Sequence, residues 1–286
     1  MRNPVFARHS REFSDNLYTY PVISRRSRGL SLGINLSMRK ECNFDCVYCQ
    51  VDRKEIQAKE RVIDFTIFRE ELQHLVANAV SGEIFQHPRF AGSPPEYQVL
   101  NDIAFSGDGE PTTSKYFLDC SQFVEQLVLQ YKKQNIDIKP IAITNASVFH
   151  REKVFAQLVR FHELGGGPWV KLDAGSEEEF QAVAETAVSF KQILKNIHSL
   201  GQVIPLTLQS IIYQDERKQS LSFSVEKMVS CLNNLQAKKT QFAKMQLYTL
   251  ARSTRVANLG ALSEDKLQQI AATIRQETSI PVEIYP

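Results

Sequence analysis

Three of the chain's five cysteines lie within eight residues, in the segment CNFDCVYC, and no other part of the sequence is as well equipped for chemistry. Cys42, Cys46 and Cys49 have the spacing C-x3-C-x2-C. Thiolates this close together bind soft metal ions, and the odd number of cysteines argues against a disulfide framework. The cluster therefore predicts a metal or redox centre.

Several kinds of centre use cysteines at such a spacing. A structural zinc site requires four nitrogen or sulfur ligands. The two other cysteines, Cys120 and Cys231, each lie alone on the apolar face of a predicted helix, which is typical of core thiols. A redox pair at Cys46 and Cys49 leaves Cys42 without a role. A 4Fe–4S cluster held by three thiolates, with one iron open for a substrate or cofactor, fits the spacing best.

Polar or small residues also lie in or directly after the C-terminal parts of four predicted strands. The segments concerned are SGDGEPT at 106–112, TNAS at 144–147, KLDAG at 171–175, and the strand 204–212 with Gln209. Alternate residues of a strand share a face, so Lys171 and Asp173 are expected to point the same way. A buried pair of this kind is costly unless it serves a polar ligand. Asp173 is therefore predicted to contact a ribose or the substrate.

The elements that would position these residues alternate between strands and helices. Strands are predicted at 30–36, 102–107, 141–146, 169–175, 204–212 and 244–251. A helix is expected after Asp64, a long helical segment breaks near Ser189, and two further helices begin at Ser224 and Ser263. This order predicts an α/β fold, a partial (β/α)6 barrel with parallel strands and helices outside. Its chemistry would lie at the C-terminal ends of the strands.

The overall composition limits the class of protein and its expected location. The 286 residues are 43% hydrophobic and 23% charged, which is ordinary for a globular protein. The sequence shows neither an apolar run long enough to cross a membrane nor a secretory signal, so a cytoplasmic protein without membrane attachment is expected. Residues 1–40 carry a net charge of +6 and the remainder −4, within a total of +2. We divide the chain into a basic N-terminal segment, 1–29, and one catalytic domain, 30–286.

The motif C-x3-C-x-aromatic-C, with Tyr48 before Cys49, resembles the signature of the radical S-adenosylmethionine (SAM) superfamily. The segment SGDGEPT resembles that superfamily's G-G-E-P segment, with Asp108 in place of one glycine. The resemblance implies that the three cysteines hold a 4Fe–4S cluster and that SAM chelates its open iron. Reductive cleavage of SAM would then yield a 5′-deoxyadenosyl radical that abstracts hydrogen from a substrate.

The resemblance also implies a set of SAM-binding residues. They are Tyr48, Gly107, Asp108, Gly109, Glu110, Thr144, Asn145, Asp173 and Gln209. The glycines would let backbone carbonyls approach the ammonium group of SAM, and Thr144 and Asn145 would lie near its adenosine. No further catalytic residue is assigned. Arg252 or Arg255, after the last predicted strand, is a candidate to hold a carboxylate or phosphate.

Within the superfamily, SRRSRGLSLGIN before the cysteines and FSGDGEPT after them resemble the wyosine-synthase-like branch, over roughly residues 20–255. The wyosine enzymes modify a guanine of tRNA, use a Schiff-base lysine and, in archaeal forms, hold a second cluster with N-terminal cysteines. This chain has no cysteine before Cys42. The second cluster is therefore not expected.

The predicted function is that of a radical SAM enzyme with an unidentified substrate. A small molecule or a peptide is the expected substrate, RNA such as tRNA is the other candidate partner, and the electron donor would resemble flavodoxin or ferredoxin. One alternative is a wyosine-like tRNA-modifying enzyme. A second is a non-catalytic iron–sulfur or zinc protein for structure or redox sensing, and a third is an RNA-binding module that uses the basic N-terminal segment.

Overall fold

The computed structural model of the chain describes residues 13–51, 53 and 62–286. These residues form two compact units. Unit 1 contains residues 13–41, 62–143 and 160–167, and unit 2 contains residues 42–51, 53, 144–159 and 168–286. Residues 1–12 of the predicted basic segment lie outside the described residues. The division into 1–29 and 30–286 stays a prediction.

Unit 1 is built on four strands with helical connections. In chain order its elements are β1 (Thr19–Ser24), β2 (Gly29–Ile34), α1 (Phe65–Ser81), β3 (Leu100–Phe105), α2 (Phe117–Lys132) and β4 (Lys139–Thr144), with 3-10 helices at Glu83–Gln86, Pro95–Tyr97 and Pro111–Thr113. The strand order is β1-β2-β3-β4. β1 and β2 form an antiparallel hairpin, while β2, β3 and β4 run parallel.

Local sequence determines where α1 begins, whereas aromatic packing between distant residues forms the core of unit 1. The carboxylate of Asp64 accepts the backbone N–H groups of Thr66 and Ile67 at 2.8 and 3.2 Å, which confirms the predicted N-cap. The core of unit 1 includes Phe105, whose ring lies 5.2 Å from that of Phe117 and 5.8 Å from that of Phe161. Aromatic packing of this kind holds α2 and the following helix against β3.

Unit 2 contains four parallel strands and a small antiparallel ribbon. Continuing in chain order, the elements are α3 (Glu152–Glu163), β5 (Gly167–Lys171), α4 (Glu177–Ala184), α5 (Phe190–Gly201), β6 (Leu206–Ile211), β7 (Gln214–Asp215), β8 (Ser220–Leu221), α6 (Val225–Ala237), β9 (Phe242–Tyr248), β10 (Leu259–Gly260), α7 (Glu264–Thr278) and β11 (Val282–Tyr285). Strands β5, β6, β9 and β11 are parallel in that order. The ribbon has the order β10-β7-β8. The boundary between the units falls within α3 and after the first residue of β5.

The helix starts of unit 2 follow the predicted capping residues. Ser189, Ser224 and Ser263 each accept the backbone N–H three residues later at the start of α5, α6 and α7. The predicted break near Ser189 is confirmed, because α4 has already ended at Ala184 and Glu185 adopts a left-handed φ of 43°. These short-range hydrogen bonds make helix ends readable from sequence.

The six predicted strands correspond to β2 to β6 and β9, with ends displaced by a few residues. Parallel strands joined by helices are thus confirmed in each unit. Strands β1 and β11 were not predicted. β1 reads TYPVIS, and its proline is tolerated because the strand has a neighbour on one side. β11 has four residues and pairs in register with β9, a partner that is distant in sequence.

None of the helices in the described part of the chain is both long and apolar enough to cross a membrane.

Candidate functional site

The three clustered cysteines lie on one irregular loop of unit 2, and each is half-buried. The backbone N–H of Cys49 donates to the carbonyl of Cys46 at 2.9 Å, closing a turn around Val47 and Tyr48. Among the residues that the structure describes, no three His, Cys, Asp or Glu side chains stand close enough to form a metal site. The loop therefore brings the thiols together in the chain, and metal binding there would require their side chains to converge.

The backbone of this cysteine loop, residues 42–49, is attached to the C-terminal end of α4. The N–H of Asp45 donates to the carbonyl of Ala184 at 3.0 Å, and the N–H of Val47 donates to the carbonyl of Val183 at 3.0 Å. These two hydrogen bonds restrain the path of the chain between the first and the last cysteine.

The guanidinium of Arg53 faces the same loop. Its Nη2 lies 3.8 Å from the Sγ of Cys49, and the group also hydrogen-bonds the thiol of Cys42. Its Nη1 lies 3.3 Å from the carbonyl oxygen of Phe44 and 3.5 Å from Oδ1 of Asp45. Partial burial lowers the pKa of Arg53, but its interactions with Cys49 and Cys42 outweigh this effect and the net shift is upward. A permanent cation therefore stands beside two of the three thiols.

Tyr48, between Cys46 and Cys49, joins the cysteine loop to the end of β5. Its hydroxyl donates to Oδ2 of Asp173 at 2.5 Å. Burial and the charge of Asp173 raise the pKa of Tyr48 well above its ordinary value. The other carboxylate oxygen of Asp173 accepts the backbone N–H of Ile211 at 2.8 Å. Asp173 thus accepts hydrogen bonds from two protein groups. Its contact with a ribose or substrate stays a prediction.

Lys171 is held between two aromatic rings and a carboxylate. Its Nζ lies 3.1 Å from Oδ1 of Asp173, which confirms that these two side chains share a face. The ammonium stands 5.1 Å from the ring centre of Tyr48 and 4.7 Å from that of Tyr248, whose hydroxyl it also contacts. Burial lowers the pKa of Lys171, but Asp173 and Tyr248 reverse this effect and the net shift is upward. Lys171 is therefore a fixed ammonium at neutral pH.

The charged pair of Lys171 and Asp173 also acts on Cys46. Burial, followed by the negative charge of Asp173, raises the pKa of the Cys46 thiol to about 12. Cysteine binds a metal as the thiolate. Metal binding at Cys46 would therefore have to displace a tightly held proton.

Two glutamines form a buried polar pair on adjacent strands of unit 2. Gln209 of β6 and Gln246 of β9 stand in register, and Nε2 of Gln209 donates to Oε1 of Gln246 at 2.8 Å. Their exposed fractions are 1% and 0%. Within the described residues, Nε2 of Gln246 has no hydrogen-bond partner. An unpaired buried amide is costly, so this position offers a donor to a polar ligand.

The turn after β4 touches the cysteine loop. Nδ2 of Asn145 donates to Oδ1 of Asn43 at 2.9 Å, and Nδ2 of Asn43 donates to Oγ of Ser147 at 2.8 Å. Oγ1 of Thr144 accepts the N–H of Ala146 at 3.2 Å, and Ala146 has a positive φ of 62°. The structure brings Thr144 and Asn145 to the cysteine loop, and their contact with adenosine stays a prediction.

In unit 1, the glycines after β3 have a packing role. A Cβ atom added at Gly107 would overlap Oδ1 of Asn35, and one added at Gly109 would overlap the carbonyl of Glu41 and approach Oγ of Ser37. The backbone of this segment therefore packs directly on the residues that precede the cysteine loop. Sequence analysis assigned these glycines to the approach of a ligand, and the structure supplies a reason within unit 1 itself.

The acidic residues of the same segment are held by neighbours in unit 1. Oδ2 of Asp108 accepts Nδ2 of Asn35 at 2.8 Å, and the N–H of Asp108 donates to Oδ1 of Asn35 at 3.1 Å. Glu110 is buried, and its carboxylate accepts the N–H of Thr112 at 3.1 Å. Glu110 thus caps the 3-10 turn that follows it. SAM binding by this segment stays a prediction.

Sequence analysis gave no role to three residues of the site, Arg53, Asn43 and Gln246. Arg53 and Asn43 lie within four residues of a cysteine, so proximity in sequence is the signal that could have indicated them. Gln246 faces Gln209 because β6 and β9 pair in one register. No local sequence pattern indicates how two strands so far apart in the chain pair in register.

No protein-family model matches the chain. It is 26% identical over 255 residues to a UPF0026 protein of Helicobacter pylori strain J99, with 86% of this chain and 70% of that protein covered. It is 34% identical over 141 residues to a UPF0026 protein of Methanocaldococcus jannaschii, with 49% and 36% covered. The chain spans between 34% and 51% of the length of three of its four curated relatives.

Among solved structures, a radical SAM methyltransferase from Sphaerobacter thermophilus is similar to this chain, with a TM-score of 0.60, 12% identity and coverage of 93% of this chain and 68% of that one. Archaeal TYW1 covers 88% and 73%, with a TM-score of 0.47 and 11% identity. The chain has the fold of the radical SAM methyltransferase. This likeness confirms the predicted α/β partial (β/α)6 fold, which is the fold that the resemblance to the radical SAM superfamily implied.

Proposed function

We propose that the protein is a radical SAM enzyme that holds a 4Fe–4S cluster at Cys42, Cys46 and Cys49. The observation that carries the proposal is the position of these thiols. They share one restrained loop of unit 2, beside a largely buried group of charged side chains. The fold is one that a radical SAM methyltransferase also uses.

The side chains at the loop fit such a cluster in their chemistry. Three thiolates can ligate three of the four irons. The Arg53 cation beside Cys42 and Cys49 would offset the negative charge of the ligated cluster. The amide of Gln246, which lacks a partner among the described residues, would bind a polar group of SAM or of the substrate.

Cys42, Cys46 and Cys49 would hold the cluster, which would supply the electron for reductive cleavage of SAM to methionine and a 5′-deoxyadenosyl radical. In unit 2, Tyr48 and Asp173 would orient the cysteine loop, and Thr144, Asn145 and Gln209 would bind the nucleoside. The tyrosine rings around Lys171 would exclude water from that part of the site.

Anaerobic purification tests the proposal directly. We expect about four irons per chain, and release of 5′-deoxyadenosine when a strong reductant and SAM are added. Cys46→Ala should abolish both, and the matched control Cys120→Ala, at a buried thiol of α2, should keep the iron content. A fully reconstituted cluster that never cleaves SAM would overturn the proposal.

Titration calorimetry with SAM separates this function from a non-catalytic metal protein. A radical SAM enzyme binds SAM when its cluster is present. A redox sensor or structural metal protein would hold metal without binding SAM. Loss of helical signal in Cys46→Ala would further indicate that the metal is structural.

RNA modification is the second candidate function, and the β1–β2 hairpin is the observation that favours it. Its turn contains Arg25, Arg26 and Arg28. In unit 1 this turn lies at the start of β2, roughly 20 Å from the end of that strand, so it would act as a docking point for phosphates. Salt-dependent tRNA binding that falls in Arg26→Gln would support this function, and no tRNA binding at low salt would exclude it.

The wyosine reaction in particular calls for a lysine that forms a Schiff base. A lysine attacks a carbonyl only as the neutral amine, and Lys171, near the cysteine loop, is an ammonium beside Asp173, which disfavours that reaction at this lysine. We propose a small molecule or peptide as the substrate. The expected electron donor resembles flavodoxin or ferredoxin, and the expected location is the cytoplasm.

A further inference from the structure

The segment that follows β9 runs along the cysteine loop within unit 2. The backbone N–H of Arg255 donates to the carbonyl of Cys49 at 2.8 Å, and the N–H of Val256 donates to the carbonyl of Val47 at 3.2 Å. In its bonds with α4 the loop donates through its N–H groups, and here it accepts through its carbonyls. The loop is therefore hydrogen-bonded to two other segments of unit 2.

The side chain of Arg255 adds a second set of contacts to the same loop. Its Nη2 donates to the carbonyl of Asp45 at 2.9 Å, and its Nε lies 3.5 Å from the carbonyl of Cys46 and 3.4 Å from Oδ1 of Asp45. The same Nη2 also contacts the carboxylate of Glu185, which directly follows α4. One guanidinium thus joins the cysteine loop to the end of α4.

We propose that Arg255 is a positioning residue for the candidate iron–sulfur centre. This inference rests on the proposed function. Three loop carbonyls, those of Asp45, Cys46 and Cys49, receive hydrogen bonds from this one residue. Carbonyls of an irregular loop have no partners in a helix or sheet of their own. Arg255 satisfies them and so restricts the conformations from which the thiols must converge.

The geometry requires a guanidinium for this task. A planar fork directs several N–H groups at once, toward the Asp45 carbonyl, the Cys46 carbonyl and the Glu185 carboxylate. A lysine would keep the charge but reach fewer acceptors. Arg255 was predicted as a holder of a carboxylate or phosphate ligand. In the structure its guanidinium is engaged by the protein, with the carboxylate supplied by Glu185.

The charge of Arg255 makes a second, separable contribution. A cation bonded to the carbonyl of a ligand residue stabilises the more negative, reduced state of a cluster. Removing the charge should therefore shift the midpoint potential to a more negative value. Arg255→Lys should restore the potential more fully than it restores the order of the loop.

The test compares wild type with Arg255→Gln, Arg255→Lys and the control Arg160→Gln, which removes an arginine that pairs with Glu125 and Glu163. Hydrogen exchange of the metal-free chains should show at least several-fold faster exchange at residues 45–49 in Arg255→Gln. After reconstitution, that variant should hold half the wild-type iron or less and have a more negative potential. Far-UV circular dichroism should be unchanged.

Failure of the positioning role of Arg255 and failure of the proposed function give different results. If wild type holds four irons and cleaves SAM while Arg255→Gln equals it in exchange, iron content and potential, the positioning role is wrong and the proposed function stands. If wild type binds no cluster, the proposed function fails, and the exchange measurement on metal-free protein still decides whether Arg255 orders the loop. Equal exchange in Arg255→Gln and wild type would overturn the inference in either case.

Discussion

Two aspartates with little solvent exposure, one in each unit, have opposite surroundings. Asp102 of β3 is 2% exposed and accepts a hydrogen bond from Ser31, while its Oδ2 has no hydrogen bond within the described residues. Asp173 of unit 2 has an ammonium 3.1 Å away and accepts from a tyrosine hydroxyl and a backbone N–H. The first is a buried acid with little compensation, and the second is the centre of a polar network.

These surroundings affect the pKa values of the ionisable groups in each unit. Burial raises the pKa of Asp102 from 3.8 to about 6, against the opposing effect of the Ser31 hydroxyl. Such a carboxyl keeps its proton to a higher pH than a solvated one, because burial disfavours its charge. In unit 2, the cation beside Asp173, Lys171, has its pKa raised, so it stays charged. The two acids therefore differ chiefly in their partners.

Removing the better-paired acid should have the largest effect. Asp173→Ala leaves the Lys171 ammonium buried without its counter-charge, and we expect a loss of about 3 to 5 kcal/mol in the free energy of unfolding. Urea titration of the metal-free protein measures it. Glu283→Ala, which breaks the more exposed pair with Lys244, is the control and should cost less than about 1 kcal/mol. Equal losses in the two variants would contradict the comparison.

Lys171→Met should leave the Asp173 carboxylate without its counter-charge. The Tyr48 hydroxyl and the Ile211 N–H still donate to it, so we expect the free energy of unfolding to fall by about 3 kcal/mol, the lower end of the cost of breaking a buried ion pair. Urea unfolding of the metal-free protein measures this loss, and a loss below about 1 kcal/mol, the value typical of an exposed pair, would refute it.

Asp102→Asn should remove the cost that Asp102 imposes on unit 1. The folded wild-type protein binds this proton more tightly than the unfolded chain, so its stability should decrease as pH rises from about 4 to about 6. The amide cannot ionise and can still accept from Ser31. We expect a gain of about 1 to 3 kcal/mol at pH 7.5 and loss of this pH dependence. A less stable variant at pH 7.5 would show that the carboxylate is compensated.

The smallest effect on stability is expected at the glutamine pair. Replacing both Gln209 and Gln246 by Met removes a donor and its acceptor together, which should change the free energy of unfolding by less than about 1 kcal/mol. Gln246→Met alone leaves the Gln209 amide unpaired and should cost about 1 to 3 kcal/mol. If the pair serves a ligand, calorimetry on the reconstituted double variant should show weaker SAM binding. Unchanged binding would assign the pair to the core.

Part of the fold was predictable because its causes are local. The N-caps at Asp64, Ser189, Ser224 and Ser263 act over two or three residues, and each is where the sequence places it. The parallel strands were predictable from their alternation with helices. Strand β11 was missed because its pairing with β9 depends on contacts made across most of a unit.

The candidate site divides in the same way. The cysteine motif, Tyr48 beside it, and the shared face of Lys171 and Asp173 follow from spacing alone. The contact of Tyr48 with Asp173 joins residues 125 positions apart, and the contact of Arg255 with Cys46 joins residues 209 positions apart. Contacts of that length depend on which strands pair and in which register.

The sequence by itself determined that three thiols share one loop, that helices and parallel strands alternate, and where most helices begin. Those features depend on neighbours within a few residues. Only the tertiary structure decided that Arg53 faces the thiols and that Arg255 donates hydrogen bonds to carbonyls of the cysteine loop. It also decided that Lys171 is held as an ammonium, and that Nε2 of Gln246 has no hydrogen-bond partner within the described residues. Burial and pairing at a distance set these properties, because a buried polar group must find its partner wherever the fold places one.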